Sequence, residues 1–182
     1  YNMATAKGVE ITNLDATPRT TLEAASGGGK LRVFMDTIAA GTGDLDNNDI
    51  IVLAQVPSNA KLASIRIYND DLDSGSSAEF NVGLYNGPQA YTISGSTTDA
   101  AAVIDEDCYA SAVSQFQAAV TTAPVELLAE ARNINAIANF VWEDGGLSED
   151  PKVPLRIAIT MSATPGTAVA GDITLVVQYV VD

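Results

Sequence analysis

The side chains best suited to chemistry in this sequence are carboxylates, which occur in short runs between apolar segments. The run from Asp44 to Asp49 begins with the spacing of an EF-hand calcium loop, but its sixth position is aspartate instead of glycine. Its twelfth position, Gln55, is not the glutamate that completes such a loop. Asp and Asn are ordinary turn residues, so we interpret this run, and that of Asp70–Asp73, as solvated turns. A weak oxygen-ligand cation site is the alternative.

A second carboxylate group, Asp105–Asp107, is followed directly by Cys108. Paired carboxylates perform acid–base chemistry in glycosidases, but two acids in an acidic protein are a weak signal for it. The 182 residues include no histidine, which excludes serine or cysteine nucleophiles that depend on a histidine base. With no histidine and one cysteine, zinc and iron–sulfur sites built on several His or Cys are excluded as well. The segment Gly27–Lys30 lacks the spacing of a phosphate-binding loop. The sequence therefore predicts no enzyme, no cofactor and no metal.

The composition predicts a folded protein that does not bind nucleic acid. Apolar residues make up 47% and charged residues 18%, which is typical of a chain with one packed core. The 9 basic and 23 acidic residues give a net charge of −14, which opposes binding to phosphates. No apolar run reaches the roughly 20 residues of a membrane helix, and the first residues lack the pattern of a secretory signal, so we expect no membrane partner.

Alternation of apolar and polar residues predicts at least six strands. They cover residues 31–36, 50–56, 63–68, 79–84, 155–162 and 173–181. The almost continuously apolar Ile50–Val56 is typical of a strand covered on both faces. In the last strand Val176 and Val180 make the second face too apolar for open water, so we expect it either to pack under the middle segment or to meet another subunit.

The remaining segments divide the chain into an arm and a body. Residues 1–30 are predicted to form an extended N-terminal arm that ends in a glycine-rich hinge, and residues 31–182 a single domain. Within that domain, residues 94–150 are predicted to be a mixed helical and loop insertion. Its alanine-rich parts (98–104 and 109–119) favour short helices, and Thr122 with Pro124 predicts a helix over about 124–132. The expected fold is mainly β: an antiparallel β-sandwich or jelly roll with short helical insertions.

Four residues are candidates for a partner interface. Lys7, Arg19 and Lys30 supply one third of the basic residues from the arm, which favours an acidic partner surface. A mobile terminus is the alternative for this segment. Trp142, the only tryptophan, is either a core or rim aromatic or an interface anchor.

Five segments, taken in order, resemble tailed-bacteriophage capsid decoration (cement) or head structural proteins. They are Asp49–Leu62 with its P-x-x-A turn, Ser64–Leu72, Ala78–Tyr85, Val141–Pro151 with the pattern W-E-x-x-G-L-S-x-D-P, and Ala168–Tyr179 with G-x-I-x-L-x-V-x-Y. The resemblance covers roughly residues 45–181. It implies a β-sandwich without catalysis that assembles as a homo-oligomer, most commonly a trimer, on the outer surface of a virion, with the major capsid protein as its partner.

Two other functional classes stay open at this point. A head fibre base or a tail protein would have a similar fold and would differ in copy number per particle. A carbohydrate-binding module, assisted by calcium in the acidic turns, is the third class.

Overall fold

A computed structural model describes residues 7–21, 27–99 and 102–181. The strands, in chain order, are β1 (Lys30–Ala40), β2 (Ile50–Val56), β3 (Lys61–Asn69), β4 (Glu79–Tyr85), β5 (Tyr91–Ile93), β6 (Ser96–Thr98), β7 (Val103–Val113), β8 (Val120–Glu126), β9 (Leu155–Ala163) and β10 (Gly171–Val181). Helix α1 (Val9–Asp15) precedes β1, and helix α2 (Val141–Asp144) lies between β8 and β9. Short 3₁₀ turns occur at Thr42–Asp44, Gln115–Gln117 and Ile134–Ala136.

The eight long strands form two four-stranded antiparallel sheets. The first sheet has the order β1-β10-β3-β8 and the second the order β2-β9-β4-β7. The short strands β5 and β6 form a separate hairpin between β4 and β7. Successive long strands alternate between the two sheets except for β4 and β7, which pair within the second sheet. The first strand pairs with the last, and the whole is a jelly-roll arrangement. The predicted antiparallel sandwich is confirmed.

The core lies between the two sheets and is mostly aliphatic. In β10, Ile173, Leu175 and Val177 are fully buried, and in β9 Ile157 and Ile159 are too. Strand residues two apart point to the same face, so the alternation in the sequence places these side chains inside. Each fully buried Ile, Leu or Val contributes roughly 1.5–3 kcal/mol relative to exposure. Phe80 and Phe116 are fully buried in this core, with ring centroids 4.2 Å apart.

The prediction that β2 is covered on both faces is wrong. Ile50 and Val52 are 51% and 43% exposed, whereas Ile51 and Leu53 are buried. The reason is that β2 is an edge strand that pairs only with β9, and its outer face is left open. Hydrophobicity alone did not distinguish a covered strand from an exposed edge strand.

The middle of the chain also differs from its predicted conformation. Of the short helix expected over 98–104, residues 100–101 lie outside the described residues, Thr98 ends β6 and Val103 begins β7. The one expected over 109–119 is replaced by the end of β7 and a 3₁₀ turn. The helix expected over about 124–132 is replaced by β8 and the turns after it. Strand pairing with β4 and β3 outweighs the helix propensity of the alanines. Pro124 is compatible with β8 because β8 lies at the edge of its sheet.

Strand β7 follows β4 closely through three shifts of register. Gly83 makes this possible, because a Cβ atom there would collide with the backbone of Asp105 and Glu106. Because this pairing is irregular, exposed and buried residues do not alternate simply along β7.

Within the described part of the arm, residues 9–15 form helix α1 where an extended backbone was predicted. Helix α1 is closed by hydrogen bonds within the arm, such as Thr12 N to Gly8 O at 2.9 Å. Residues 1–6 and 22–26, which belong to the predicted arm and hinge, lie outside the described residues. Within the described ranges, no helix is long and apolar enough to cross a membrane.

Candidate interaction surfaces

Two of the predicted contact residues, Lys7 and Arg19, are engaged inside the arm. Lys7 Nζ lies 2.6 Å from the carboxylate of Asp15 at the end of α1, and both side chains are about half exposed. Arg19 Nε donates a hydrogen bond to the carbonyl oxygen of Leu14 at 2.9 Å. Such exposed pairs are worth about 0–1 kcal/mol, so a partner's carboxylates would compete with them readily.

The other two predicted contact residues lie on separate elements of the body. Lys30 is exposed at the first position of β1, opposite Val181 of β10. Trp142 is half-buried in α2 and packs against the core. Its backbone N–H donates to Ser58 O, which ties α2 to the turn after β2. The structure therefore spreads the four residues over the arm, an edge strand and α2, and does not gather them into one site.

The acidic turns use their carboxylates to close backbone loops. Asp44 Oδ2 accepts from Gly41 N at 2.8 Å, and Asp49 Oδ2 accepts from Asp46 N at 2.8 Å. Asp70 Oδ2 accepts from Asp172 N and thereby joins two loops. Within the described ranges, no three His, Cys, Asp or Glu side chains are grouped closely enough to hold a metal ion.

Asp73 is a fully buried carboxylate at the centre of one such turn. Burial opposes its ionisation, but backbone N–H groups of Thr167, Ser77, Ala78 and Gly75 all donate to its oxygens and hold its pKa well below the usual range. These bonds connect the loop after β3 to the loop before β10. The carboxylate is therefore a structural anion, satisfied by the backbone.

The Asp105–Cys108 segment is the middle of a strand. It belongs to β7, where burial and the nearby Asp107 raise the pKa of Asp105. Burial, together with the charge of Asp105, also raises the pKa of the Cys108 thiol well above its ordinary value. A thiol held in its neutral form is a poor nucleophile, so Cys108 acts as a small, half-buried packing residue.

The structure contains a buried ion pair that the sequence did not predict. Arg132 Nη2 lies 2.9 Å from Asp144 Oδ2, and their side chains are 5% and 2% exposed. Burial raises the pKa of Asp144 to about 6, although the guanidinium of Arg132 favours its charged form. The pair joins the segment after β8 to the end of α2. No sequence signal marks it, because the two residues are 12 positions apart and meet only through the fold.

One group of exposed apolar side chains lies on the edge strand β1. Leu31, Val33 and Met35, on the outer face of β1, are 60%, 54% and 66% exposed. They lie beside Val180, Gln178 and Val176 of β10, whose outer face is half-exposed. The middle segment does not cover this face of β10, which stays half-exposed, so a contact with another subunit remains a prediction. The sequence gave no sign that β1 extends this face.

The opposite side carries a second exposed apolar group. Val103 at the start of β7 is 55% exposed, and Ile134 and Ile137, after β8, are 82% and 69% exposed. The two isoleucines line an open groove of about 610 Å³ next to the end of β8, together with Leu128 and Arg132. Glu130, which follows two residues of this groove in the chain, accepts a hydrogen bond from Ser111 N of β7 at 2.7 Å.

Comparison with known proteins gives a fold relationship. No family model and no curated protein matches the sequence. A chain in the capsid structure of Ralstonia phage GP4 superimposes with a TM-score of 0.56 over 90% of both chains, at 21% identity. A chain in the capsid asymmetric unit of cyanophage Pam1 gives a TM-score of 0.52 over 90% of this chain and 94% of that one, at 17% identity.

These likenesses identify the fold. The protein is an antiparallel jelly roll of a kind that also occurs in the capsids of two phages. Both similarities extend over nine-tenths of each chain, so they involve both sheets and not one shared hairpin.

Proposed function

We propose that the protein is a structural component of a phage virion, without catalysis, that binds the outer surface of the capsid and stabilises the lattice of major capsid subunits. The observation that carries this proposal is the jelly roll shared over nine-tenths of the chain with chains of two phage capsid structures. The ordered resemblance of five sequence segments to decoration and head proteins supports it independently.

The physical basis of the proposed stabilisation is a set of added contacts repeated over the shell. A subunit that touches two neighbouring capsid proteins opposes their separation, and symmetry multiplies a weak contact into strong overall binding. The partners are the major capsid protein and further copies of this chain, with a trimer as the proposed assembly. Lys7, Arg19, Lys30 and Trp142 are the proposed contact residues. The excess of 14 negative charges favours a surface turned to solvent over one turned to packaged DNA.

The first experiment measures how many copies of this chain a virion contains. Quantitative gel or mass-spectrometric analysis of purified particles is expected to give a copy number comparable to that of the major capsid protein, and an electron-microscopy map is expected to show the chain outside the shell. Absence from particles would contradict the proposal, and a few copies per particle would favour a head fibre base or a tail protein.

A second experiment tests stabilisation directly. Particles assembled without this chain are expected to lose DNA at a lower temperature than complete particles, and purified protein added back is expected to restore the difference. Bovine serum albumin at the same concentration is the control for non-specific protection. Equal thermal release with and without the chain would contradict a stabilising role.

A further inference from the structure

Strand β1 is the most regular of the four strands at the sheet edges. Its eleven residues pair with β10 without a shift of register, whereas β2, β7 and β8 each pair with at least one shift. β8 also contains Pro124, which has no N–H group to donate. Interruptions of this kind protect an edge against pairing with a further strand. β1 has neither a proline nor a shift, so its edge is open to such a strand.

Half of the backbone groups of β1 face this open edge. In an antiparallel pair, alternate residues direct their N–H and C=O groups toward the partner strand and away from it. Thr37 belongs to the half that faces away from β10: its N–H donates to the side chain of Asp36 at 2.9 Å, and its hydroxyl lies 2.8 Å from that of Thr174, the residue opposite. The residues two, four and six positions before Thr37 share its orientation. Within the described ranges, no other segment forms backbone hydrogen bonds with them from the free side.

The charges of β1 are arranged symmetrically about Phe34. Arg32 and Asp36 lie two positions before and after it, so all three side chains lie on the face of β1 that is directed toward the second sheet. In the part of the chain that the structure describes, Arg32 has no ion-pair partner, and Asp36 accepts one hydrogen bond, from the N–H of Thr37. Asp36 lines an open cleft of about 270 Å³ between β1 and β2, together with Arg156, so its carboxylate is accessible from outside.

A two-fold axis at Phe34 brings these charges together. When two copies of β1 run antiparallel with Phe34 opposite Phe34, Arg32 of each copy lies opposite Asp36 of the other, on the same face of the joined sheet. On the outer face, Val33 of each copy lies opposite Met35 of the other. Both apolar side chains are more than half exposed in the single chain, and each covers part of the other in the pair.

The existing hydrogen bond of Asp36 does not oppose this pairing. In the same register, Thr37 of one copy lies opposite Leu31 of the other, and both belong to the half of the backbone that faces the open edge. Two such residues exchange both of their N–H···O=C bonds. The N–H of Thr37 then donates to the second copy, which frees the carboxylate of Asp36 for the guanidinium of Arg32.

We propose that the edge of β1 pairs with the same edge of a second copy of this chain, antiparallel and about a two-fold axis at Phe34. The two first sheets then form one sheet of eight strands, and the contact uses the same surface of both copies. A register centred on Met35 places Phe34 opposite Asp36 and loses the ion pair. A register centred on Val33 joins residues 30–36 only, whereas the proposed register joins residues 30–38.

This inference rests on the proposed function only for the premise that copies of this chain meet. It uses one edge strand, which leaves the remaining surface for the contacts of the proposed trimer and of the capsid.

Two charge variants test the pairing by their mass in solution, measured by light scattering after size exclusion. Arg32→Asp places two carboxylates opposite each other at both ends of the contact, and Asp36→Arg places two guanidinium groups there. Each is expected to weaken association at least tenfold and, at a concentration at which the wild type is associated, to have half its mass. Both positions are exposed, so the fold is expected to persist, and circular dichroism checks this. Lys30→Asp, which faces Ile38 of the second copy, is the matched control and is expected to keep the wild-type mass.

Mixing the two charge variants tests the two-fold arrangement. A pair made of one Arg32→Asp chain and one Asp36→Arg chain has opposite charges across both ends of the contact. An equimolar mixture is therefore expected to regain the wild-type mass, although neither variant associates alone. A mixture that stays at half the mass, or a single variant that keeps the full mass, would overturn the pairing.

Cysteine cross-linking measures the register. Val33→Cys with Met35→Cys in one chain places a thiol opposite a thiol of the second copy at two positions, where the Cα atoms of paired strands are about 5.5 Å apart and a disulfide fits. Mild oxidation is expected to give covalent dimers on a non-reducing gel. Val33→Cys alone is expected to cross-link at least tenfold more slowly, and the wild type, oxidised in parallel, reports the contribution of Cys108. Rapid cross-linking of the single variant would contradict the register at Phe34.

Failure of this inference differs from failure of the proposed function. A wild type with no more mass than the charge variants, but present at full copy number on capsids, would overturn the edge pairing and leave the virion role intact. If Arg32→Asp then also lost binding to capsids, the edge would accept a strand of the capsid protein instead of a second copy. A chain that pairs in solution but is absent from virions would overturn the proposed function and keep the pairing.

Discussion

At the scale of single residues, the carboxylates of this protein act as structural acceptors. Asp73 shows this most clearly, because four backbone N–H groups converge on a side chain with no exposed surface. Asp70 and Asp44 close loops in the same manner. An acidic cluster that suggests a metal site in the sequence is thus explained by the hydrogen-bonding needs of turns.

Asp73→Asn is expected to lower the free energy of unfolding by about 2–4 kcal/mol, because an amide accepts at one atom where the carboxylate accepts at two. Chemical denaturation at pH 7 measures the loss. The depressed pKa means that the stabilisation is present above the unfolded pKa and declines as pH falls below about 4, so the difference between wild type and variant should shrink there. Asp99→Asn, at an exposed position, is the control. An unchanged difference at low pH would argue against the charged state.

The contribution of Asp144 to the free energy of unfolding is expected to change with pH in the opposite direction from that of Asp73. Its pKa is raised to about 6, so the folded protein keeps this proton to a higher pH than the unfolded chain does. The stabilisation from this group is therefore complete below about pH 4 and is lost as pH rises through about 6, by about 2–3 kcal/mol. Unfolding free energies of wild type and Asp144→Asn, compared from pH 4 to pH 8, measure it. If the two proteins have parallel pH profiles, Asp144 does not titrate in this range.

At the scale of secondary-structure elements, pairing with a neighbouring strand outweighs the helix propensity of a segment. β7 and β8 form from alanine-rich and proline-containing segments because β4 and β3 offer edges with which to pair. Gly83 is the position where the two strands approach most closely, since the backbone of β7 occupies the space that a side chain would take. The absence of a Cβ atom there is a condition for the sheet to form.

Gly83→Ala is expected to reduce the free energy of unfolding by roughly 3 kcal/mol or more, because the added methyl group collides with backbone and not with a movable side chain. Thermal melting followed by circular dichroism is the measurement. Gly43→Ala, where a Cβ atom meets nothing within 4 Å, is the matched control and is expected to melt like the wild type. Similar melting of both variants would show that β7 shifts without cost.

At the scale of the whole molecule, a closed core coexists with two open sides. The facing sheets bury an aliphatic core, whereas β1 and the segment around β8 expose large apolar groups. Edge strands of this kind promote association unless they are protected, and β1 provides eleven residues of such an edge.

Deletion of residues 1–28 is expected to leave the melting temperature of the body within about 2 °C of the full chain, because the hydrogen bonds of the described arm close within the arm. The same deletion is expected to reduce binding to capsids that lack this chain, measured by co-sedimentation. Full occupancy by the truncated protein would contradict a role of the arm in attachment, and loss of folding would show that the arm belongs to the core.

The sequence by itself determined the fold class and most of the inner faces. The alternation in β9 and β10 was sufficient because side chains two apart must share a face, whatever the partner strand. The lack of histidine and the single cysteine limited the kinds of catalytic and metal site that the chain can form. The acidic turns were identified as turns from their Asp and Asn residues.

Only the tertiary structure decided which strands lie at the edges and which conformation the middle segment adopts. The exposure of Ile50 and Met35, the strand conformation of β8 and the Arg132–Asp144 pair all depend on neighbours that are distant in the chain. A local pattern reports which side chains avoid water, but it does not report whether the surface that covers them belongs to the same chain or to another copy. That information arises when the two sheets close on each other.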